Sequence, residues 1–165
     1  MGFFFEKNIN ISLLEEILGK ESQVQNPVLG YYAQYKLREK LKRFGAEHLD
    51  AFQDHGDLTA KIGRYKYVIE CKLISKRTYK KTATRFIHLQ SSNCRDVFTE
   101  DGVKHRTSKY LIGTFDIAAA CTFPINGKWN FLFCKASELK HDGKGFWKTR
   151  QDMGPNWHAN IRKTL

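Results

Sequence analysis

Residues 57–74 read DLTAKIGRYKYVIECKLI, and this stretch decides the fold class. Leu58–Ile62 is a short run that predicts a strand, and the following Gly63-Arg64 suits a tight two-residue turn with glycine first. Residues 65–74 predict the returning strand, because their apolar side chains recur at every second position. The stretch therefore predicts an antiparallel hairpin.

The returning strand carries two charges on one face. Glu70 and Lys72 are two residues apart, so both project from one side of an extended chain, while Ile69 and Cys71 project from the other. A buried sheet holds a carboxylate and an ammonium only where they have a partner or a use. Asp57 directly precedes the first strand, and pairing about the turn brings it near Glu70.

This pair of acids predicts a metal site. Two neighbouring carboxylates repel each other and relieve the repulsion by holding a divalent cation; Mg²⁺ keeps several waters and takes further oxygens from phosphate. Lys72 beside the cation would have its pKa lowered and would orient or deprotonate the attacking water. The pattern indicates phosphodiester hydrolysis. The alternative is a salt bridge on an exposed sheet face, since an acid two residues before a lysine also occurs at Glu138 and Asp142.

Helical spacing precedes the hairpin, and a second hairpin follows it. Residues 9–18 predict a short helix, and residues 29–44 predict a longer one in which Leu37, Leu41 and Phe44 share a face. Residues 115–134 predict two strands joined by a turn at 124–127. The whole pattern predicts a mixed α/β domain with a central mixed sheet flanked by helices.

Length and composition predict one domain with a basic surface. The 165 residues contain three prolines and no linker, and they carry 28 Lys and Arg against 17 Asp and Glu, a formal charge of +11. Such an excess favours nucleic acid or an anionic membrane surface as partner. No strongly amphipathic basic helix supports the membrane, so we expect a cytoplasmic protein associated with the nucleoid through DNA. Three cysteines lie in apolar runs and predict buried free thiols: Cys71, Cys121 and Cys134.

The chain resembles the PD-(D/E)XK nuclease superfamily, which includes type II restriction endonucleases and archaeal Holliday-junction resolvases. The likeness lies in Gly56-Asp57-Leu58, the hairpin, and Val68-Ile69-Glu70-Cys71-Lys72. It covers about residues 30–76, and the spacing of Gln34, Leu37, Leu41 and Gly45 is similar to the first helix of the resolvase branch. Gly56 replaces the proline of the motif, and Gln34 stands where a glutamate is common. A looser resemblance to a core hairpin of restriction-type nucleases lies around Asp116.

The resemblance implies a restriction-endonuclease-like core and a role for each motif residue. Asp57 and Glu70 would be metal ligands, with the main-chain carbonyl of Cys71 as a further ligand, and Lys72 the water-orienting or general-base group. Gln34 would contact a metal-bound water. The implied cofactor is Mg²⁺, for which Mn²⁺ would substitute. Asp54 competes with Asp57 for the first ligand position, but Asp57 directly precedes the strand.

Basic and polar residues after the motif predict the DNA-binding surface. Lysines and arginines would neutralise phosphates, and amides, hydroxyls and guanidinium groups would reach base edges in a major groove. The alternative for each is a solvated loop residue. The candidates are Lys76, Arg77, Lys80, Lys81, Arg85, Gln90, Ser91, Asn93, Arg95, Arg106 and Lys109.

The sequence as a whole predicts a Mg²⁺-dependent DNA endonuclease, with residues 1–165 as one domain and a catalytic core at about 29–140. The variety of donors and acceptors in residues 76–110 favours a sequence-specific type II restriction endonuclease acting on double-stranded DNA. One active site per subunit predicts a homodimer. The alternatives are a Holliday-junction resolvase, a nicking or homing endonuclease, and a non-catalytic DNA-binding module with a nuclease fold, which Gln34 favours.

Overall fold

The computed structural model describes residues 11–51, 57–79, 82–99 and 101–165. The chain divides into two compact units, one ending at Tyr32 and the other comprising Ala33–Leu165. The second unit contains every strand of the described residues. The one-domain organisation stays a prediction.

Two helices open the described chain, α1 (Ile11–Lys20) and α2 (Ser22–Arg43). The first agrees with the predicted helix within two residues at each end. The second begins at Ser22, seven residues before the predicted start at 29, and Pro27 lies inside the helix. Pro27 is the sixth residue of this helix, and the helix continues through it to Arg43. From Ala33 on, Leu37 and Leu41 share a buried face.

The central sheet has five strands in the order β1-β2-β3-β8-β9. The predicted hairpin forms β2 (Leu58–Ile62) and β3 (Tyr65–Leu73), and Gly63 at the turn has φ 61°. A left-handed residue at this place matches the twist of the two strands. β1 (Glu47–Ala51) pairs antiparallel with β2, while β3 pairs parallel with β8 (Ile117–Cys121). The sheet is therefore mixed, and the fold class is α/β as predicted.

The second predicted hairpin is present with a different connection. β8 pairs antiparallel with β9 (Phe131–Lys135), but residues 123–126 form a one-turn helix, α3 (Phe123–Asn126). Gly127 ends that helix in the left-handed conformation, with φ 66°. Short 3₁₀ turns follow at Ala136–Glu138 and Ile161–Lys163.

Within the described residues, the polar segment 76–110 is mostly strand. β4 (Ser75–Tyr79), β5 (Thr82–His88) and β10 (Arg150–Asp152) form a three-stranded antiparallel sheet in the order β10-β5-β4. β6 (Gln90–Phe98) and β7 (Lys104–Lys109) form a two-stranded ribbon. Apart from Lys80 and Lys81, which lie outside the described residues, the DNA-binding candidates thus lie on strands.

Both faces of the central sheet are covered. One face packs Ile69 and Cys71 against Leu37 and Leu41 of α2, with Phe133 of β9 in the same cluster. The opposite face packs a second cluster that includes Ile87, Leu89, Tyr110, Phe115, Trp147 and Trp157. Glu70 points into this second face and is 1% exposed. Its carboxylate therefore lies in the interior of the protein and not on an exposed sheet face.

Two further findings concern the whole described chain. The four cysteines are free, with Cys71, Cys121 and Cys134 buried as predicted and Cys94 exposed. Among the residues with described positions, no helix combines the length and the apolar character needed to cross a membrane.

Candidate active site

Asp57 lies at the open end of the β2–β3 hairpin. Its main-chain N–H donates to the carbonyl of Ile69 at 3.0 Å, and its Oδ2 accepts the main-chain N–H of Cys71 at 2.7 Å. Oδ1 accepts the side-chain amide of Gln34 at 2.7 Å. Helix α2 and strand β3 therefore hold the two oxygens of this carboxylate between them. Asp54, the competing acid, lies outside the described residues.

Glu70 is the buried acid of the site, and its two oxygens differ. Oε1 lies 2.6 Å from the Nζ of Lys72 and accepts the hydroxyl of Tyr110 at 2.8 Å. Oε2 is buried and has no hydrogen-bond partner among the described residues. A buried carboxylate oxygen without a partner is costly, so this atom is a position for a ligand.

Lys72 is the cation of the site. Its side chain is 23% exposed, so the ammonium reaches the surface while it contacts Glu70. The same Nζ lies 3.4 Å from the hydroxyl of Tyr110. An ammonium has three donors, and two directions are taken by these neighbours, which leaves a third for a water or a phosphate.

The electrostatics of the three side chains are linked. Burial, and after it repulsion from Glu70, raises the pKa of Asp57 to about 7, although Lys72 and the Cys71 amide act in the opposite direction. Burial lowers the pKa of Lys72, but attraction to Glu70, Tyr110 and Asp57 outweighs it and holds that pKa above its ordinary value. The carboxylates stabilise the charged ammonium, and the lowered pKa that we expect for Lys72 beside a bound cation stays a prediction.

The residues of the site fit a hard divalent cation. Asp57 and Glu70 supply two carboxylates, one with an unpartnered buried oxygen, and Mg²⁺ in proteins commonly takes one or two carboxylates and fills its other positions with water and phosphate. Within the described ranges, no group of three or more His, Cys, Asp and Glu side chains forms a metal cluster. The donor set thus suits a cation that keeps waters rather than a fully protein-enclosed ion.

Cys71 offers three polar groups, and two are accounted for. Its amide donates to Asp57, and its side chain lies in the apolar cluster on the helix side of the sheet. Burial raises the pKa of the Cys71 thiol well above its ordinary value, so the thiol remains protonated. The main-chain carbonyl is the group the resemblance assigns to the metal.

Tyr110 belongs to the site and was missed in the sequence analysis. It follows β7 directly and is 6% exposed, and its hydroxyl joins Glu70 across a separation of 40 residues. The sequence offers only a weak indication of this role, namely that the hydroxyl of a buried tyrosine needs a hydrogen-bond partner. Nothing in the sequence names that partner.

The DNA-binding candidates fall into four groups. Lys80 and Lys81 lie outside the described residues, and Lys76, Arg77, Ser91 and Asn93 are placed on β4 and β6 through their main chain. Arg85 and Gln90 are exposed. The remaining three contact other side chains: Arg95 lies over the ring of Tyr110, Arg106 lies 3.9 Å from Asp96, and Lys109 lies 2.9 Å from Asp142.

Asp116 has a structural part in the sheet. Its Oδ2 accepts the main-chain N–H of Val68 at 2.7 Å, and its own N–H donates to the carbonyl of Val68 at 2.8 Å. Its carbonyl accepts the N–H of Ala136. These bonds extend the β3–β8 pairing beyond the strand ends.

Comparisons with known proteins give one structural likeness. No protein-family model matches the chain, and no curated protein matches it. Among solved structures, the chain is similar to a bacterial homing endonuclease, I-Ssp6803I. The two are 16% identical, the match covers 81% of this chain and 78% of that chain, and the TM-score is 0.48.

Proposed function

We propose that the protein is a Mg²⁺-dependent DNA endonuclease of the PD-(D/E)XK type. The observation that carries the proposal is the buried carboxylate of Glu70, with one oxygen on Lys72 and the other without a partner, beside a second carboxylate on Asp57. The alternative to a metal site, a salt bridge on an exposed sheet face, is disfavoured because Glu70 is 1% exposed. The formal charge of +11 supports a polyanionic substrate.

In this proposal each residue has a defined task. Asp57 and Glu70 hold the cation, with the Cys71 carbonyl as a further ligand, and Gln34 fixes Asp57 through its amide. When bound, the cation supplies a Lewis-acid charge that activates water and stabilises the phosphate. Lys72 directs an N–H toward the attacking water or the phosphate, a task its protonated form performs through hydrogen bonding and charge.

The substrate in the proposal is double-stranded DNA, cut at a specific sequence by a homodimer. Arg85 on β5 and Gln90 on β6 are exposed and follow the motif strand in the chain, where they would contact phosphate and base edges. The segments around them are strands of the β10-β5-β4 sheet and of the β6–β7 ribbon, whose register shifts between Gln90 and Arg95. The variety of hydrogen-bond donors and acceptors in residues 76–110 supports base readout over recognition of a junction.

Cleavage assays test the function directly. Supercoiled plasmid and long linear DNA are incubated with Mg²⁺ and either the native chain or Lys72→Ala. Discrete fragments that the variant does not produce are the expected result, and their ends give the recognition sequence. Preferential cleavage of a four-way junction would instead assign a resolvase. Salt-sensitive binding without cleavage of any substrate would overturn the enzyme in favour of a binding module.

A further inference from the structure

Tyr110 is held in a restrictive environment beside the carboxylates. Its ring meets Phe115 edge to face, with centroids 5.9 Å apart. The guanidinium carbon of Arg95 lies 5.2 Å from the ring centroid, and the Nζ of Lys72 lies 5.4 Å from it. An aromatic ring that faces two cations and one aromatic edge has a fixed orientation, so the position of its hydroxyl is fixed as well.

The hydroxyl of Tyr110 makes the two oxygens of Glu70 unequal. Oε1 accepts from Tyr110 at 2.8 Å and contacts Lys72 at 2.6 Å, while Oε2 has no partner among the described residues. A carboxylate that is free to rotate about its last bond would share these donors between both oxygens. Two donors on one oxygen stop that rotation and leave the second oxygen to a ligand.

We propose that Tyr110 is a positioning residue that reserves Oε1 of Glu70 for the protein and Oε2 for the divalent cation. This inference rests on the proposed function, since it assigns the cation to Glu70. Tyr110 contacts neither the cation nor the DNA in this scheme and acts through the carboxylate. Hydrogen bonds to metal-ligating groups commonly change metal affinity by about tenfold to a hundredfold, so the effect is measurable.

Arg95 supports the tyrosine ring. Its Nε and Nη2 are buried and have no hydrogen-bond partner within the described part of the chain, so the ring of Tyr110 is the contact that offsets their burial. Arg95 lies on β6 opposite Thr107 of β7, and Tyr110 follows β7, so the ribbon itself brings the cation over the ring. Arg95 therefore restrains the ring, and its removal would loosen Tyr110 without touching Glu70.

The test is Mn²⁺ binding by titration calorimetry in the absence of DNA, comparing the native chain with Tyr110→Phe. The variant keeps the ring and loses only the hydroxyl, and we expect its Kd for Mn²⁺ to rise about tenfold or more. Tyr65→Phe is the matched control, because Tyr65 is exposed at the hairpin turn, and it leaves the Kd unchanged. Arg95→Met provides a second variant, for which we expect a smaller rise.

Cleavage as a function of Mg²⁺ gives the second readout. For Tyr110→Phe we expect the half-maximal Mg²⁺ concentration to rise by a similar factor, while the rate at saturating Mg²⁺ stays within severalfold of native. A thermal unfolding curve for each variant confirms that the compared proteins are folded. A merely structural tyrosine would lower stability and leave the metal dependence of the folded protein as it was.

The outcomes separate this inference from the proposed function. Equal Mn²⁺ affinity in native and Tyr110→Phe proteins, with cleavage by the native chain, overturns the role of Tyr110 alone. Weaker Mn²⁺ binding by the variant, with no cleavage by the native chain, supports the positioning role and overturns the nuclease. A native chain that binds no Mn²⁺ overturns the positioning role, because Glu70 then has no cation to receive, and cleavage of DNA with Mg²⁺ decides the nuclease separately.

Discussion

The carboxylate of Asp57 accepts the main-chain N–H of Cys71 at 2.7 Å, so a side chain continues the hydrogen bonding of the β2–β3 hairpin past its last strand pair. This bond holds the acid beside Glu70 in a half-buried position, and burial is the first reason that the pKa of Asp57 rises to about 7. The negative carboxylates of Asp57 and Glu70 repel each other unless a proton or a bound cation neutralises the charge.

The first prediction is a loss of stability with rising pH that depends on Asp57. The unfolded chain releases this proton near pH 4, and the folded chain keeps it until about pH 7, so the folded state binds more protons between these values. The free energy of unfolding therefore falls as the pH rises from about 4 through about 7. This interval corresponds to a contribution on the order of 4 kcal/mol.

Asp57→Asn isolates this contribution, because asparagine does not titrate. Urea unfolding in the presence of a chelator is measured for native and variant proteins at pH 5 and pH 8. We expect the variant to become the relatively more stable protein at pH 8, and Mg²⁺ to stabilise only the native chain. A difference between the two proteins that does not change with pH would contradict the raised pKa.

The second prediction concerns the buried ion pair. Lys72→Met removes the cation from a fully buried carboxylate, and breaking a buried pair in this way costs about 3 kcal/mol or more. Lys66→Met is the control, since Lys66 is exposed on the same strand, and its effect stays within about 0.5 kcal/mol. The double variant with Glu70→Gln recovers much of the loss, because the unpaired charge is gone. Additive losses in urea unfolding would show that the pair does not interact.

The hairpin was predictable because its signals are local. Gly63 takes the left-handed conformation that its place in a two-residue turn requires, and the alternation in β3 separates Glu70 from Cys71 as predicted. Once the turn is fixed, the pairing of Leu58 with Ile69 brings Asp57 to the level of Glu70. The central residues of the candidate site could thus be predicted from the position of the turn and the pairing of the two strands.

The missed parts depend on contacts that no local pattern encodes. β4 to β7 are rich in Lys, Arg, Ser and Thr, so their strands lack the apolar alternation that identifies a half-buried strand. Tyr110 meets Glu70 only because the chain returns after these strands to pair β8 beside β3. The predicted start of α2 at residue 29 is wrong, because the helix begins at Ser22 and continues through Pro27.

A third prediction tests the core through thiol reactivity. Cys94 is exposed, whereas Cys71, Cys121 and Cys134 are buried, and burial raises the pKa of each of these three thiols. Since the thiolate is the reactive form, we expect one thiol to react rapidly with a disulfide reagent in the native protein. The other three react after unfolding in guanidinium chloride. Cys94→Ser removes the rapid phase, and a rapid phase that persists in this variant would contradict the packing around β3, β8 and β9.

The fourth prediction separates phosphate contacts from base contacts on the proposed DNA surface. Arg85→Ala removes one exposed cation, so we expect the slope of log binding constant against log salt to decrease by about 1. Gln90→Ala leaves the slope unchanged, because the amide is neutral, and relaxes the preference between sequences. Arg64→Ala, at the hairpin turn, is the control for an exposed arginine outside this surface. Equal slopes for Arg85→Ala and Arg64→Ala would remove Arg85 from the interface.

The fifth prediction follows from the amide that Gln34 places on Asp57 at 2.7 Å. Gln34→Glu puts a third negative charge into the site, where it repels Asp57 without a cation and helps to hold one when it is present. We expect lower thermal stability in chelator at pH 8, a larger rise in Tm on adding Mg²⁺, and a lower Mg²⁺ requirement for cleavage. Gln25→Glu makes the same change at an exposed position of the same helix and leaves all three unchanged. A Gln34→Glu protein with native metal dependence would show that Gln34 lies beside the cation site without taking part in it.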